Sequence, residues 1–249
     1  MPFKFDSQYI GYPPIELVVP VPASPPFGLP ISPGFTARAE DPVWGPAEFI
    51  FARAGAAIKL GAGCVHTPVW DATNKVYTYN MTEWPVTATL GRPVYIYVGN
   101  TALTTGQYGW FLMMGRYPVA STASIAADTA AGRAAAGLLT ASGAGVQILG
   151  LRVVTPATQT VVSASVSGLL GSNQIFLAST AGFFPGVYVA GTGVGAAAIV
   201  SFVDPLGKYI LVTVVNSAAV TGNVTATYNN AVIFYNVAEV NRPMAQGIA

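Results

Sequence analysis

Residues 106–119, GQYGWFLMMGRYPV, constrain the fold more than any other stretch of the chain. Tyr108, Trp110, Phe111, Leu112, Met113 and Met114 crowd into one segment, and Gly106, Gly109 and Gly115 stand where a strand starts, kinks or bulges. The stretch reads as a single buried strand, with Trp110 and Phe111 pointing to opposite faces. A run this apolar has to be covered on both sides, either by a second layer of its own domain or by a neighbouring subunit. The expectation from sequence is that another subunit covers at least one face.

Charge favours the second source of cover. Only 8% of the 249 residues are Asp, Glu, Lys or Arg, against about 25% in an ordinary soluble domain. Residues 153–203 are 51 consecutive uncharged positions. Such a surface fits a protein largely covered in an assembly. The net charge is +1 and the basic residues are scattered singly from Lys4 to Arg242, which argues against direct nucleic-acid binding, since phosphate neutralisation needs grouped cations. The most apolar window, residues 176–200, is interrupted by Pro185 and five glycines, so no membrane-spanning helix is expected. Cys64 is the only cysteine, which rules out an intramolecular disulfide and fits a reducing compartment. The N-terminus lacks the charged, apolar, small-residue order of a signal peptide.

Residues 1–33 hold nine of the nineteen prolines, interleaved with Phe3, Phe5, Tyr9, Tyr12 and Phe27 and with Ile15, Leu17, Val18, Val19 and Val21. Proline fixes φ and removes donors, so this is an extended arm. Its apolar content exceeds that of a disordered tail, and the arm is expected to order on a partner surface. From Gly34 the pattern turns to short strands, expected at 47–53, 57–61, 65–70, 94–98, 138–140 and 146–154, with a single helical turn within 126–132. Residues 160–228 change texture to Val, Thr, Ser, Gly and Ala, with six short strands, and the older aromatic texture resumes at 231–237. The fold expected is therefore all-β: a compact β-sandwich or barrel over 34–159 plus 229–249, an inserted small all-β module over 160–228, and the extended arm.

The residues offer little for catalysis. His66 is the only histidine, which leaves no multi-histidine metal site. Cys64 and His66 share a face if they lie on a strand, but read as core or edge residues rather than a nucleophile pair. Glu40-Asp41 precedes a proline in a turn, where carboxylates are solvated or cap amides. Gly191-Thr192-Gly193-Val194-Gly195 has the wrong spacing for a phosphate loop and reads as a turn. No catalytic, cofactor-binding or metal site is expected, and the chain is not expected to be an enzyme. Glu48 and Asp71 are the acids to test for a glycan-degrading activity.

Four stretches taken together resemble the head decoration, or cement, proteins of tailed bacteriophages: GPAEFIFAR at 45–53, GQYGWFLMMGRYPV at 106–119, AGRAAAGLLTASGAGVQIL at 131–149, and Asn241-Arg242-Pro243. The resemblance covers residues 34–154 and 231–244. Residues 171–228 separately resemble a β-repeat module of phage and bacterial surface proteins. The resemblance implies a structural virion protein on the outer surface of the phage head, assembled in the host bacterial cytoplasm, with the major capsid protein as partner. It implies a homotrimer where capsid subunits meet, the arm reaching across neighbours and the insert projecting outward. On this reading Phe3, Phe5, Tyr9, Tyr12, Phe27, Trp110 and Phe111 form the capsid or subunit interface, and no cofactor is needed. The alternative is a carbohydrate-binding or adhesin module, taking host-surface glycans through residues 160–228 or on Trp44, Trp70, Trp84 and Trp110.

Overall fold

The computed structural model describes residues 4–5, 13–15, 17–21, 29–41, 43–72, 75–85, 91–143, 146–204, 206–229 and 233–245. Among them are seventeen strands and no helix, so the all-β class expected from the sequence is what the chain adopts. The body is built from β1 (Lys4–Phe5), β2 (Thr36–Asp41), β3 (Gly45–Ala54), β4 (Gly63–Asp71), β5 (Val76–Glu83), β6 (Val94–Tyr97), β7 (Tyr108–Ser121), β8 (Ala130–Arg133), β9 (Leu139–Ala141) and β10 (Gln147–Thr155). The insert follows as β11 (Thr160–Ser163), β12 (Gln174–Phe176), β13 (Tyr188–Gly191), β14 (Val200–Val203), β15 (Tyr209–Val212) and β16 (Val224–Thr227), before β17 (Phe234–Ala245) returns to the body.

β7 organises the body. Its first half pairs with β6 and β3, and its second half pairs with β17 over Phe234↔Ser121 to Asn241↔Met114. The order β3-β5-β4-β6-β7 closes on itself because β3 also pairs with β7. The order β7-β17-β10-β8-β9 closes as well, through the Ser121↔Leu139 pair of β7 and β9. Two closed rings thus share one strand. The change of partners falls at Gly115, whose φ of +123° and close approach to Ala47, 2.7 Å from where a Cβ would stand, leave room for glycine only.

Alternation along β7 fills two cores at once. Tyr108, Trp110 and Leu112 join Phe49, Phe51, Val94 and Ile96 in one, while Phe111 joins Ile50, Ala52 and Tyr97 in the other. Both faces of Tyr108 to Leu112 are therefore covered within the chain. Trp110 and Phe111, expected at a capsid or subunit interface, are instead fully buried. Their cover comes from ring closure and from the arm, neither of which has a local signature.

The described part of the arm lies on its own barrel. Ile15 is buried in the core, Val19 exchanges both backbone hydrogen bonds with Tyr108 at 2.8 and 2.9 Å, and Trp110 Nε1 donates to the Pro13 carbonyl at 3.1 Å. Phe5 packs its ring 5.3 Å from that of Trp110, and β1 adds to the edge of β2. Within 126–132 the chain makes a turn at Ala127 and Asp128 and no helix. Residues 130–133 form β8, where Gly132 lies against the backbone of Ala141 and Val146, a contact that rewards a strand.

The insert leaves the body after β10 and returns at β17, and these two strands are hydrogen-bonded neighbours with Thr155 opposite Val237. It holds two three-stranded sheets, β11-β16-β13 and β12-β15-β14. Its core is continuous with Ala120, Tyr235 and Val237 of the body. Phe184 joins the two parts, edge-on to Tyr228 of the insert at 5.0 Å and to Tyr235 and Trp44 of the body at 5.1 and 6.4 Å.

Candidate interaction surface

Of the interface residues expected from sequence, Phe3, Tyr9, Tyr12 and Phe27 lie outside the described residues. Phe5 is half-buried against Trp110. With Trp110 and Phe111 enclosed, β7 reaches the surface only at Met113, Met114, Gly115 and Arg116.

Arg116 opens onto the place where, among the described residues, this charge-poor chain concentrates its charge. Register across β7, β17 and β10 sets Arg116, Glu239 and Arg152 side by side. Arg116 Nη2 is 3.6 Å from Glu239 Oε2, Arg152 Nη2 is 3.0 Å from the same oxygen, and Arg152 Nη1 is 3.3 Å from Asp128 Oδ1. A second row lies one step along the strands, where Glu48 of β3, Met114 of β7 and Asn241 of β17 are aligned. Glu48 is gripped from both sides, by Arg38 at 2.8 Å and by Arg242 at 2.9 Å.

Arg242 reaches back to Glu48 because of a bulge. Between the pairs Leu149↔Met244 and Leu151↔Val240, three residues of β17 oppose Gly150 alone, and Arg242 takes a φ of +45°. Gly150, at φ +75°, leaves no space for a side chain beside the Asn241 carbonyl. The hydrogen bond from Arg242 is the chief cause that holds the Glu48 carboxyl below its ordinary pKa; desolvation opposes it and Arg38 adds to the lowering.

Five of the six ion pairs among the described residues belong to this face. The four guanidinium side chains are 54% to 73% exposed, whereas Glu48 is tucked beneath them at 12% and Glu239 at 35%. Cations therefore outnumber acids in what a partner would meet, with Asp128 and Glu40, the latter beside Arg38 on the outer face of β2, the acids that stand out. Two clefts flank the ridge of Glu239 and Asn241. One, of about 420 Å³, is walled by Trp44, Pro46, Met114 and Arg116; the other, of about 500 Å³, by Asp128, Gln147, Leu149 and Arg152. Sequence reading missed this face because its eight charges are spread from residue 38 to residue 242. Only cross-strand register assembles them.

Asp41 fixes the wall of the first cleft. Its Oδ1 accepts from the amides of Val43 and Trp44 at 2.6 and 2.9 Å, closing the turn that carries the Trp44 ring. Burial outweighs those bonds and raises the Asp41 pKa.

The other residues weighed for chemistry do not converge. Cys64 is buried with its thiol against the Ala62 carbonyl, and burial pushes its pKa well up, so it is not a thiolate. His66 stacks on Tyr79 at 4.8 Å, its pKa lowered by burial and then by Arg92. Among the described residues no three His, Cys, Asp or Glu side chains are grouped to hold a metal. No described helix is long and apolar enough to cross a membrane. Gly191 to Gly195 forms the turn expected, closed by the Val194 amide on the Gly191 carbonyl at 3.1 Å.

Of the four tryptophans, Trp84 and Trp110 are fully buried and Trp44 is partly buried in its aromatic cluster. Trp70 alone stands out, 50% exposed, beside its cross-strand partner Tyr77 at a ring distance of 5.0 Å. No protein-family model, curated protein or solved structure matches this chain.

Proposed function

We propose that the chain is a structural virion protein that binds the outside of an assembled phage capsid and cements neighbouring major capsid protein subunits, as a homotrimer on the outer surface of the head. One observation carries this reading. The stretches that resemble decoration proteins are spread over some two hundred residues of sequence, yet they form one connected unit: β3, β7, the run from β8 to β10, and the end of β17. Glu48 of the first stretch and Arg242 of the last are ion-paired across Met114 of the second.

The surface supports the same reading. Leu169, Leu170, Phe176 and Leu206 of the insert stand exposed in a segment, residues 160–228, that carries only Asp204 and Lys208 as charges. Exposed apolar side chains on a surface this poor in charge suit a protein that works inside an assembly. Binding only the assembled shell stabilises that shell by mass action, and many copies multiply the effect. The test is electron microscopy of shells of the major capsid protein incubated with the full chain. Added density at fixed symmetry positions is the expected result, and bare shells at saturating concentration overturn the proposal.

A second reading, a carbohydrate-binding or adhesin module on the virion surface, is favoured by the exposed Trp70 and Tyr77 pair. Glycan-array binding lost on Trp70→Ala supports it, and an array without signal removes it.

A further inference from the structure

We propose that the face formed by Arg38, Arg116, Arg152 and Arg242 is a docking surface for a protein that presents clustered carboxylates. This rests on the capsid-binding reading and names the chemistry of the surface met there: an acidic patch on the capsid protein.

In a chain with eleven basic residues, four guanidinium groups converge on one face of the β2-β3-β7-β17-β10 region. Glu48 and Glu239 lie lower than the arginines they gather, so four exposed guanidinium groups outnumber the two exposed acids of the outer layer, Asp128 and Glu40. Each guanidinium has five N–H donors in a planar fork suited to a carboxylate. The bonds seen among the described residues use one nitrogen of Arg116 and one of Arg242, and two each of Arg38 and Arg152. Glu48 and Glu239 hold the forks in place beforehand, which lowers the cost of ordering them on binding.

Two features select a protein over a polyanion. Glu239 and Asp128 alternate with the arginines along one row and would repel a continuous chain of phosphates or sulfates. The clefts beside that row have apolar walls in Trp44, Pro46, Met114 and Leu149, which accept protruding side chains. Charge complementarity at such a face acts mainly on partner choice and on the rate of encounter.

The experiment titrates the full chain and an Arg116→Glu, Arg242→Glu double variant onto capsid shells at low and high salt. The expected result is about a tenfold loss of apparent affinity for the double variant at low salt, with a matching loss for the wild type at high salt. Where the double variant melts early, Arg116→Gln, Arg242→Gln replaces it, since this pair removes charge without setting a carboxylate beside Glu48 or Glu239; a loss is again expected. Wild type and variant binding the shell equally well overturns the inference and leaves the capsid reading standing. If the wild type binds no shell, the capsid reading falls, and a peptide of glutamates spaced by leucines then decides the surface. Peptide binding that the double variant loses sustains carboxylate recognition, and no peptide binding overturns it. Tighter binding of heparin or duplex DNA than of that peptide, at equal charge concentration, also overturns it.

Discussion

Arg242 Nη2 donates to Glu48 Oε2 at 2.9 Å across 194 residues of chain. The contact ties the end of the last strand to the start of β3, and Arg38 completes a three-residue clamp from β2. Glu48 is the buried member of that clamp, so its loss leaves two guanidinium groups facing each other without a counter-charge.

Glu48→Gln is therefore expected to lower the melting temperature near neutral pH. The pH dependence has a definite sign. The folded-state pKa of Glu48 lies below its ordinary value of 4.5, so its stabilising contribution is fully present above that value and is lost as pH falls through the lower folded value. Melting curves on the acid side should show the wild type losing stability more steeply than Glu48→Gln, the two converging at the lowest pH. Parallel curves would show that the clamp adds nothing.

Asn236 is fully buried and uses its whole amide. Its Oδ1 accepts from the amides of Ile125 and Ala157 at 3.0 and 2.9 Å, and its Nδ2 donates to Ser121 Oγ at 2.6 Å and to the Ala123 carbonyl at 2.9 Å. It binds the loop after β7 and the exit to the insert onto β17. Asn236→Ala leaves several buried groups unpaired and should cost about 3–5 kcal/mol. Chemical denaturation measures it, and a loss below about 1 kcal/mol would mean that water replaces the amide.

Ile15 carries the cis-docking of the arm, being only 1% exposed against the barrel. Ile15→Ala should cost about 2–5 kcal/mol, the range for deleting a buried aliphatic side chain. Loosening the arm also frees the Trp110 indole from Pro13, so a red shift of tryptophan emission should accompany the loss. Wild-type stability and unshifted emission would show that the arm contributes no cover in solution.

Phe184 is the aromatic link between insert and body. With the core continuous across the junction, calorimetry of the wild type should give one cooperative transition. Phe184→Ala should cost about 3–5 kcal/mol and separate melting of the insert from that of the body. Two transitions in the wild type would overturn the view of a shared core.

Much of the local structure was legible. Residues 47–53 and 65–70 lie within β3 and β4, 94–98 and 146–154 match β6 and β10 to within one residue, and the 106–119 stretch supplies most of β7. Of the segments not foreseen, β5 carries a β-branched and aromatic run, Val76-Tyr77-Thr78-Tyr79, that local pattern suffices to place, whereas β2 and β8 have weak local signals. β2 alternates alanine with polar residues, and its inward Ala37 and Ala39 look unremarkable until packed against the barrel. β8 is alanine and glycine, which propensity alone places nowhere.

The sequence by itself determined the class of fold, the places of the strands with β-branched and aromatic runs, and the texture break at residue 160, because a period of two and turn chemistry are written into neighbouring residues. It also determined that so apolar a strand as β7 needed cover on both faces. Tertiary structure alone decided what supplies that cover: closure of two rings through β3–β7 and β7–β9, with the arm laid over Trp110. It likewise decided that charges scattered singly along the chain form one face, since Arg116, Glu239 and Arg152 become neighbours only through strand register. Register and closure are set by contacts between residues far apart in the chain, and no local pattern encodes them.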